Sequence, residues 1–121
     1  MIEPKYRIKD KADFERIFKR AAELDNEELG DSFIVEGNHD ITYGSIKATC
    51  ELIGYDLLLL SQETVDDLER GKYSHIDTFY IDIVNLTMLD QNFKGTYSLF
   101  GGAIPDELDI DDDGTLRLWF D

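Results

Sequence analysis

The chain has 121 residues, of which 42% are apolar, 12% aromatic and 32% charged, and its formal net charge is −15. This length is enough for one domain with its own core, and the apolar content excludes a disordered acidic tail. A single cysteine, Cys50, excludes an internal disulfide and favours a reducing, cytoplasmic setting. The longest apolar run, 57–60, is too short to cross a bilayer, and no secretory signal is predicted.

The negative charge is concentrated after the first twenty residues. Residues 1–20 contain seven basic and four acidic side chains, whereas residues 21–121 contain five basic and 23 acidic ones. Such a surface repels nucleic-acid phosphates and anionic lipids and attracts basic proteins, so direct binding to nucleic acid or membranes is not expected. The net charge also exceeds the roughly 2–8 units that keep a small domain soluble, which favours a role in binding.

The first predicted elements are an extended segment and an amphipathic helix. Residues 1–9 alternate loosely, as an edge strand or an extended arm does. Asp10 is a suitable N-cap for a helix that ends by Gly30. The apolar stripe of this helix has three-four spacing and consists of Phe14, Ile17, Phe18, Ala21 and Leu24. Residues 32–36 then form a predicted short strand, and 37–40 form a turn.

The segment 41–53 is ambiguous. Its alternating apolar and polar residues fit a half-buried strand, whereas its three-four spacing, with Asp40 as cap and Gly54 as stop, fits a helix. The β-branched content and Gly44 favour the strand. Residues 55–60 are apolar and short, which predicts a buried strand.

A second, short helix is predicted after Ser61, which is a good N-cap, and Gly71 is its expected stop. Val65 and Leu68 give this helix a thin apolar stripe. The strand that follows, 76–86, is predicted to be the central strand of the sheet. Aromatic and β-branched residues alternate along it, with one face formed by Phe79, Ile81 and Ile83 and the other by Tyr80, Asp82 and Val84.

The C-terminal part is predicted to be β-structure. A strand is expected at 94–100, and an Asp-Gly turn between 108–110 and 116–120 is a strong hairpin signal. Leu116, Leu118 and Phe120 share one face of the last strand. The predicted fold is one α+β domain over residues 1–121: a mostly antiparallel sheet with the N-terminal helix and the short second helix packed on one face.

The hairpin turn has a partial likeness to a calcium loop. Residues 109–114 place carboxylates at alternate positions before a glycine, as the first half of such a loop does. The second half fails, because Arg117 and Phe120 stand where the ninth and twelfth ligands belong. A plain hairpin turn with backbone-capping aspartates is therefore favoured, and no metal or other cofactor is predicted.

The soft-ligand candidates are His39, His75 and Cys50. They stand far apart in sequence, without the close spacing that structural zinc sites show. Both histidines are interpreted as satisfied or exposed side chains. Cys50 lies among core-like residues without a basic neighbour, so it is interpreted as an inert small apolar residue.

Asp82 is the candidate for acid–base chemistry. Its position between Tyr80 and Val84 makes a carboxylate costly unless it is paired. A raised pKa would suit a general acid, with Glu36 or Glu51 as a second carboxylate. No feature of the sequence places such a partner nearby, so an exposed sheet face is the favoured interpretation.

Three acidic clusters remain. The first is Asp25, Glu27, Glu28 and Asp31; the others, predicted to bind a partner, are Asp66, Asp67, Glu69, Asp106, Glu107, Asp109, Asp111, Asp112 and Asp113. If the second helix and the last hairpin share a side, their carboxylates would resemble nucleic-acid phosphates and could occupy a basic cleft. Aromatic anchors for such an interface could come from Tyr73, Tyr97 or Trp119.

The first functional hypothesis is a small acidic binding protein, not an enzyme, that neutralises a basic partner. An immunity protein for a nuclease toxin is one such molecule, and a phage-encoded inhibitor of a nucleic-acid-targeting defence system is another. The alternative is a small enzyme or metal-binding domain that uses Asp82, which requires two carboxylates converging in a pocket. A third hypothesis is an accessory subunit whose acidity serves solvation only.

Overall fold

The computed structural model of the protein describes residues 4–19, 34–36, 41–70, 76–85, 100 and 105–120. The strands of this part are β1 (Lys5–Arg7), β2 (Ile34–Glu36), β3 (Ile41–Thr42), β4 (Leu58–Ser61), β5 (Thr78–Ile81), β6 (Glu107–Ile110) and β7 (Leu116–Trp119). Its α-helices are α1 (Lys11–Ile17), α2 (Tyr43–Ile53) and α3 (Gln62–Glu69), and a 3₁₀ turn covers Tyr55–Leu57. Within these ranges, no helix has the length and apolar character needed to cross a bilayer.

Five of the strands form one antiparallel sheet in the order β1-β4-β5-β7-β6. β5 lies in the middle, which confirms that the segment around 76–86 supplies the central strand. β2 and β3 pair with each other in a separate two-stranded sheet. The predicted α+β fold with an antiparallel sheet is confirmed.

All three helices contribute to one core against one face of this sheet. Because side chains alternate along a strand, Phe79 and Ile81 of β5 point to the same side. The same core receives Phe14 from α1, Ile46 from α2 and Val65 from α3. Burial of these side chains removes a large apolar area from water, which is the main favourable term in folding.

An aromatic cluster occupies the centre of the core. Phe79 of β5 stacks on Phe100 with ring centroids 4.4 Å apart, and Phe120 meets both rings edge-on at 6.0 Å. Phe100 has a φ of 51°, a left-handed conformation that is uncommon for a bulky residue. The buried hydroxyl of Thr49 accepts a hydrogen bond from the Phe100 N–H at 2.8 Å and donates to the carbonyl of Ser45 at 2.9 Å. This bond joins α2 to the aromatic cluster.

The favoured prediction of a strand over 41–53 is wrong for most of its length. Only Ile41–Thr42 forms a strand, and Tyr43–Ile53 forms the helix α2. The helix begins with a capping box: the Thr42 hydroxyl accepts from the Ser45 N–H, and the Ser45 hydroxyl accepts from the Thr42 N–H, both at 3.0 Å. These bonds satisfy backbone donors that a helix start leaves unpaired. The cap is therefore Thr42 instead of the predicted Asp40. Gly54 ends the helix as predicted, with a φ of 109°.

The helices α1 and α3 begin where the sequence predicts, but α1 ends at Ile17 with Phe18 as its C-cap, well before the predicted stop by Gly30. The carboxylate of Asp10 accepts from the N–H of Asp13 at 2.8 Å, and the hydroxyl of Ser61 accepts from the N–H of Thr64 at 3.2 Å. The strand predicted at 55–60 begins later in the structure than the sequence predicts. Residues 55–57 form the 3₁₀ turn, so β4 starts only at Leu58.

The predicted C-terminal hairpin is confirmed. β6 pairs with β7, and Gly114 in the connecting turn has a φ of 86°, which favours glycine because other residues are strained there. The side chains of Leu116, Leu118 and Phe120 are buried in the core, as their shared face predicts.

Some predicted features lie outside the described residues. They are the helix end around Gly30 with Ala21 and Leu24, the acidic cluster at 25–31, the turn at 37–40, His39, Gly71, Tyr73, His75 and most of the strand at 94–100 with Tyr97.

Cys50 lies in the core, with no exposed surface. Burial, together with the nearby carboxylate of Glu51, raises the pKa of its thiol to about 12. Since the thiolate is the nucleophilic form, this environment agrees with the interpretation of Cys50 as an apolar core residue.

Candidate functional site

The face of the sheet opposite the helices, called the open face below, carries a row in which charged side chains flank the buried Leu59 and Tyr80. Arg7, Leu59, Tyr80, Arg117 and Asp109 stand in register across β1, β4, β5, β7 and β6. Strand alternation places these residues on the side opposite the core. The cations of this row each meet carboxylates, so the open face is organised by ion pairs.

Lys5 spans the open face and joins β1 to the last hairpin. Its Nζ lies 2.7 Å from Oδ2 of Asp111 and 2.9 Å from Oδ2 of Asp113, and its side chain is only 4% exposed. The same ammonium is 4.6 Å from the centre of the Tyr80 ring, which adds a cation–π attraction. Burial alone would lower the pKa of Lys5, but its hydrogen bonds to Asp111 and Asp113 outweigh this effect and raise it.

Asp82 is buried and paired, so the exposed position favoured from sequence is wrong. Its carboxylate is 4% exposed and lies 2.9 Å from Nη1 of Arg7. The backbone N–H and the side-chain amide of Asn85 donate to it at 3.2 and 2.7 Å. Burial would raise the pKa of Asp82, but these bonds outweigh it and the pKa is lowered. A carboxyl held in its ionised form in this way does not have the raised pKa that a general acid needs.

Of the two carboxylates considered as partners for Asp82, Glu51 lies on α2 and accepts a hydrogen bond from the hydroxyl of Tyr55 at 3.2 Å. The side chain of Glu36 is not among those that the structure describes. Throughout the part of the chain that the structure describes, no three His, Cys, Asp or Glu side chains converge so that they could hold a metal ion.

The hairpin turn is built from its own carboxylates. Oδ1 of Asp113 accepts from the N–H of Thr115 at 3.0 Å and from its hydroxyl at 2.7 Å. The N–H of Gly114 donates to the carbonyl of Asp111 at 2.9 Å. The hydroxyl of Thr115, followed by Lys5, lowers the pKa of Asp113 to about 2. These are the backbone-capping aspartates that the turn interpretation predicts.

The remaining hairpin carboxylates differ in their surroundings. Arg117 lies 3.2 Å from Glu107 and 3.4 Å from Asp109, so one guanidinium is shared between two exposed carboxylates. Asp106 is exposed and its N–H donates to the carbonyl of Trp119. Asp112 is exposed and forms no ion pair with any described residue. Trp119 is half-buried in β7, where it stands opposite Glu107.

A concave surface lies between α3 and the start of β1, and it is called the α3 groove below. It has a volume of about 320 Å³ and is lined by Pro4, Gln62, Glu63, Asp66, Asp67 and Arg70. The groove is fixed by a backbone hydrogen bond from the N–H of Gln62 to the carbonyl of Pro4 at 3.0 Å. Its described lining contains three carboxylates and one guanidinium, so these side chains together carry a negative charge.

The carboxylates of the α3 groove make few contacts with other described residues. Asp66 accepts one hydrogen bond from the amide of Gln62 at 3.0 Å, and Asp67 meets Arg70 in a long, exposed contact of 3.5 Å. Glu63 is exposed, and no described residue pairs with it. Glu69 lies outside the groove lining and pairs with Arg16 at 3.0 Å.

The two acidic clusters do not share a side of the sheet. α3 inserts Val65 and Leu68 into the core and therefore lies on the covered face, whereas Glu107 and Asp109 meet Arg117 on the open face. Sequence reasoning missed that cations engage the hairpin carboxylates. The available signal was the alternation in residues 1–9, which places Lys5 and Arg7 on one face of a strand.

A pH dependence of stability follows from the lowered pKa values of Asp13, Asp82 and Asp113. A carboxylate whose pKa is lower in the folded state stabilises the fold above its unfolded value, near 3.9, and this contribution is lost as pH falls through the folded value. We therefore expect the free energy of unfolding, measured with urea, to decline from about pH 4 towards about pH 2. An unchanged free energy over this window would contradict the described contacts.

Asp113→Asn tests one of these groups. The side chain of Asp113 is one-third exposed, so solvent screens part of its interactions. We therefore expect the free energy of unfolding of the variant to decline by roughly 1–2 kcal/mol less than that of the unchanged chain. Asp112→Asn, a change at its exposed neighbour, is the control and should follow the unchanged chain at each pH.

Comparison of the chain with protein-family models, with curated protein sequences and with solved structures gave no match.

Proposed function

We propose that this chain is a small acidic binding protein whose α3 groove receives basic side chains of a protein partner. The observation that supports this proposal is the position of Glu63, Asp66 and Asp67 in one concave surface, where Arg70 is the one cation among the described lining residues. The net charge of −15 adds a long-range attraction that speeds encounter with a basic surface and suppresses acidic competitors.

The α3 groove supports this function better than the hairpin does. Lys5 and Arg117 engage four of the hairpin carboxylates, and a carboxylate already paired has less attraction left for a partner's cation. Among the described residues, few bonds reach the groove carboxylates. Carboxylates of this kind would serve an inhibitor that binds the basic cleft of a nuclease. Immunity proteins and inhibitors of nucleic-acid-targeting defence systems are two such classes.

An enzymatic role for Asp82 is not proposed. Arg7 and Asn85 occupy both oxygens of its carboxylate, so the group is arranged to stabilise the fold.

The proposed function predicts a charge-dependent partner. Tagged protein, a groove variant (Glu63→Gln, Asp66→Asn, Asp67→Asn) and a control variant (Glu15→Gln, Glu51→Gln, at exposed positions of α1 and α2) serve as baits in lysate of the native host. We expect the unchanged chain and the control variant to retain the same basic protein, and the groove variant to retain it about tenfold less. Retention should also fall between about 50 and about 300 mM salt, because salt screens exposed charges.

Circular dichroism of each bait gives the fold control. Equal retention by the groove variant, or the lack of any basic protein at either salt concentration, would contradict the proposal.

A further inference from the structure

β6 is an edge strand with exposed side chains on both of its faces. Within the described sheet it pairs only with β7. Leu108 and Ile110, on the core side, are 48% and 59% exposed, and the side chains of Glu107 and Asp109, on the open face, are each 57% exposed. A flat edge of this kind is a template for pairing with another chain.

The backbone groups of Leu108 and Ile110 point away from β7. In an antiparallel pair, hydrogen-bonded residue pairs alternate with pairs that are not bonded. The N–H of Asp111 donates to the carbonyl of Thr115 at 2.8 Å, and the register continues with Ile110 opposite Leu116. The backbone groups of Asp111, Asp109 and Glu107 therefore bond to β7. The N–H and C=O groups of Leu108 and Ile110, which lie between them, point away from β7.

We propose that the outer edge of β6, which no other described strand pairs with, binds an extended segment of a partner protein in which apolar and basic residues alternate. Strand addition would satisfy the outward N–H and C=O groups. The apolar residues of the segment would lie beside Leu108 and Ile110, and its basic residues beside Glu107 and Asp109. Arg117 is shared between these two carboxylates, and the oxygens that remain exposed can accept bonds from an incoming cation.

Charge argues against a second copy of this chain as the occupant. Paired residues of neighbouring strands lie on the same face of a sheet. Two β6 strands joined with their apolar faces on one side would bring Glu107, Asp109 or Asp111 of one copy opposite the same carboxylates of the other. Like charges directly opposite each other are destabilising, whereas a basic segment gives the complementary pattern.

The test uses a dye-labelled, acetylated and amidated peptide in which lysine and valine alternate, with binding measured by fluorescence anisotropy. A peptide of the same composition with the lysines in one block is the first control. A peptide N-methylated at one central lysine and one central valine is the second, since it loses a donor on each edge. We expect the alternating peptide to bind at least about tenfold more tightly than either control.

Variants of the protein locate the site. Leu108→Pro removes an outward N–H without removing a bond to β7 and should weaken binding about tenfold, as should Glu107→Gln with Asp109→Asn. A control variant, Glu15→Gln with Glu51→Gln at exposed positions of α1 and α2, should change binding by less than about threefold. The groove variant Glu63→Gln, Asp66→Asn, Asp67→Asn reports on the α3 groove, which lies next to β1 at the other edge of the sheet. The two proposals can therefore fail separately.

Three results would overturn the proposal. Equal binding of the block or N-methylated peptide would show general attraction to an acidic surface only. Unchanged binding to Leu108→Pro would place the peptide elsewhere. Self-association of the unchanged chain that Leu108→Pro abolishes, measured by analytical ultracentrifugation, would identify a second copy as the occupant of the edge.

Discussion

Replacement of Phe79 by alanine is expected to lower the free energy of unfolding by about 3–5 kcal/mol. Phe79 has no exposed surface and stands in the central strand β5. It stacks on Phe100 and meets Phe120 edge-on, so its removal leaves a cavity that three elements of the fold surround. The rings lose contact energy as well as apolar burial, and a packed interior relaxes only partly around such a gap.

Urea unfolding followed by circular dichroism measures this loss. The matched control is Leu108→Ala, because Leu108 stands in the same register row as Phe79 and Leu118 but is about half exposed. We expect the control to lose about 1 kcal/mol or less. Equal losses in the two variants would mean that Phe79 does not organise the core as described.

Replacement of Lys5 by methionine is the second large expected effect, with a loss of about 2 kcal/mol at pH 7. Methionine replaces the apolar stem of the side chain and stops one atom short of the ammonium, so it leaves Asp111 and Asp113 without their shared cation. The two carboxylates then repel each other. Both are one-third exposed, so solvent screens part of this repulsion and keeps the loss moderate.

The pH dependence separates this electrostatic effect from a packing effect. As the pH falls, protonation of one of the two carboxyl groups of the variant removes the repulsion, so the difference from the unchanged chain should shrink. Lys9→Met, at an exposed neighbouring lysine, is the control and should change the free energy of unfolding by less than about 0.5 kcal/mol. A difference that is the same at pH 7 and at about pH 3 would show that methionine disturbs packing only.

The sequence and the structure agree where local interactions decide the outcome. Asp10 and Ser61 cap helices because each side chain bonds to the backbone three residues on. The Asp-Gly pair makes the last hairpin because glycine adopts the positive φ that the turn requires. Alternation in 76–86 identifies the central strand because Phe79 and Ile81 point together into the core, although Tyr80 on the opposite face is buried too.

The local sequence of segment 41–53 was not enough to decide between a strand and a helix. Both periodicities are present in it, and β-branched content favoured the wrong one. The helix forms because the reciprocal bonds of Thr42 and Ser45 satisfy its first turn, and because the core receives Ile46 and Cys50 from the same side. The second reason depends on where the sheet lies, and a propensity of about 1 kcal/mol or less per residue does not outweigh it.

The sequence by itself determined the α+β composition of this protein, its helix caps, its last hairpin and its negative charge, because each depends on residues close together in the chain or on composition alone. Only the tertiary structure decided which carboxylates remain able to bind. Lys5 and Arg7 lie far along the chain from Asp111, Asp113 and Asp82, and strand pairing brings them together. Coulomb attraction depends on distance in space and on burial, so the pairing of strands determines where the acidic surface is neutralised and where it stays free.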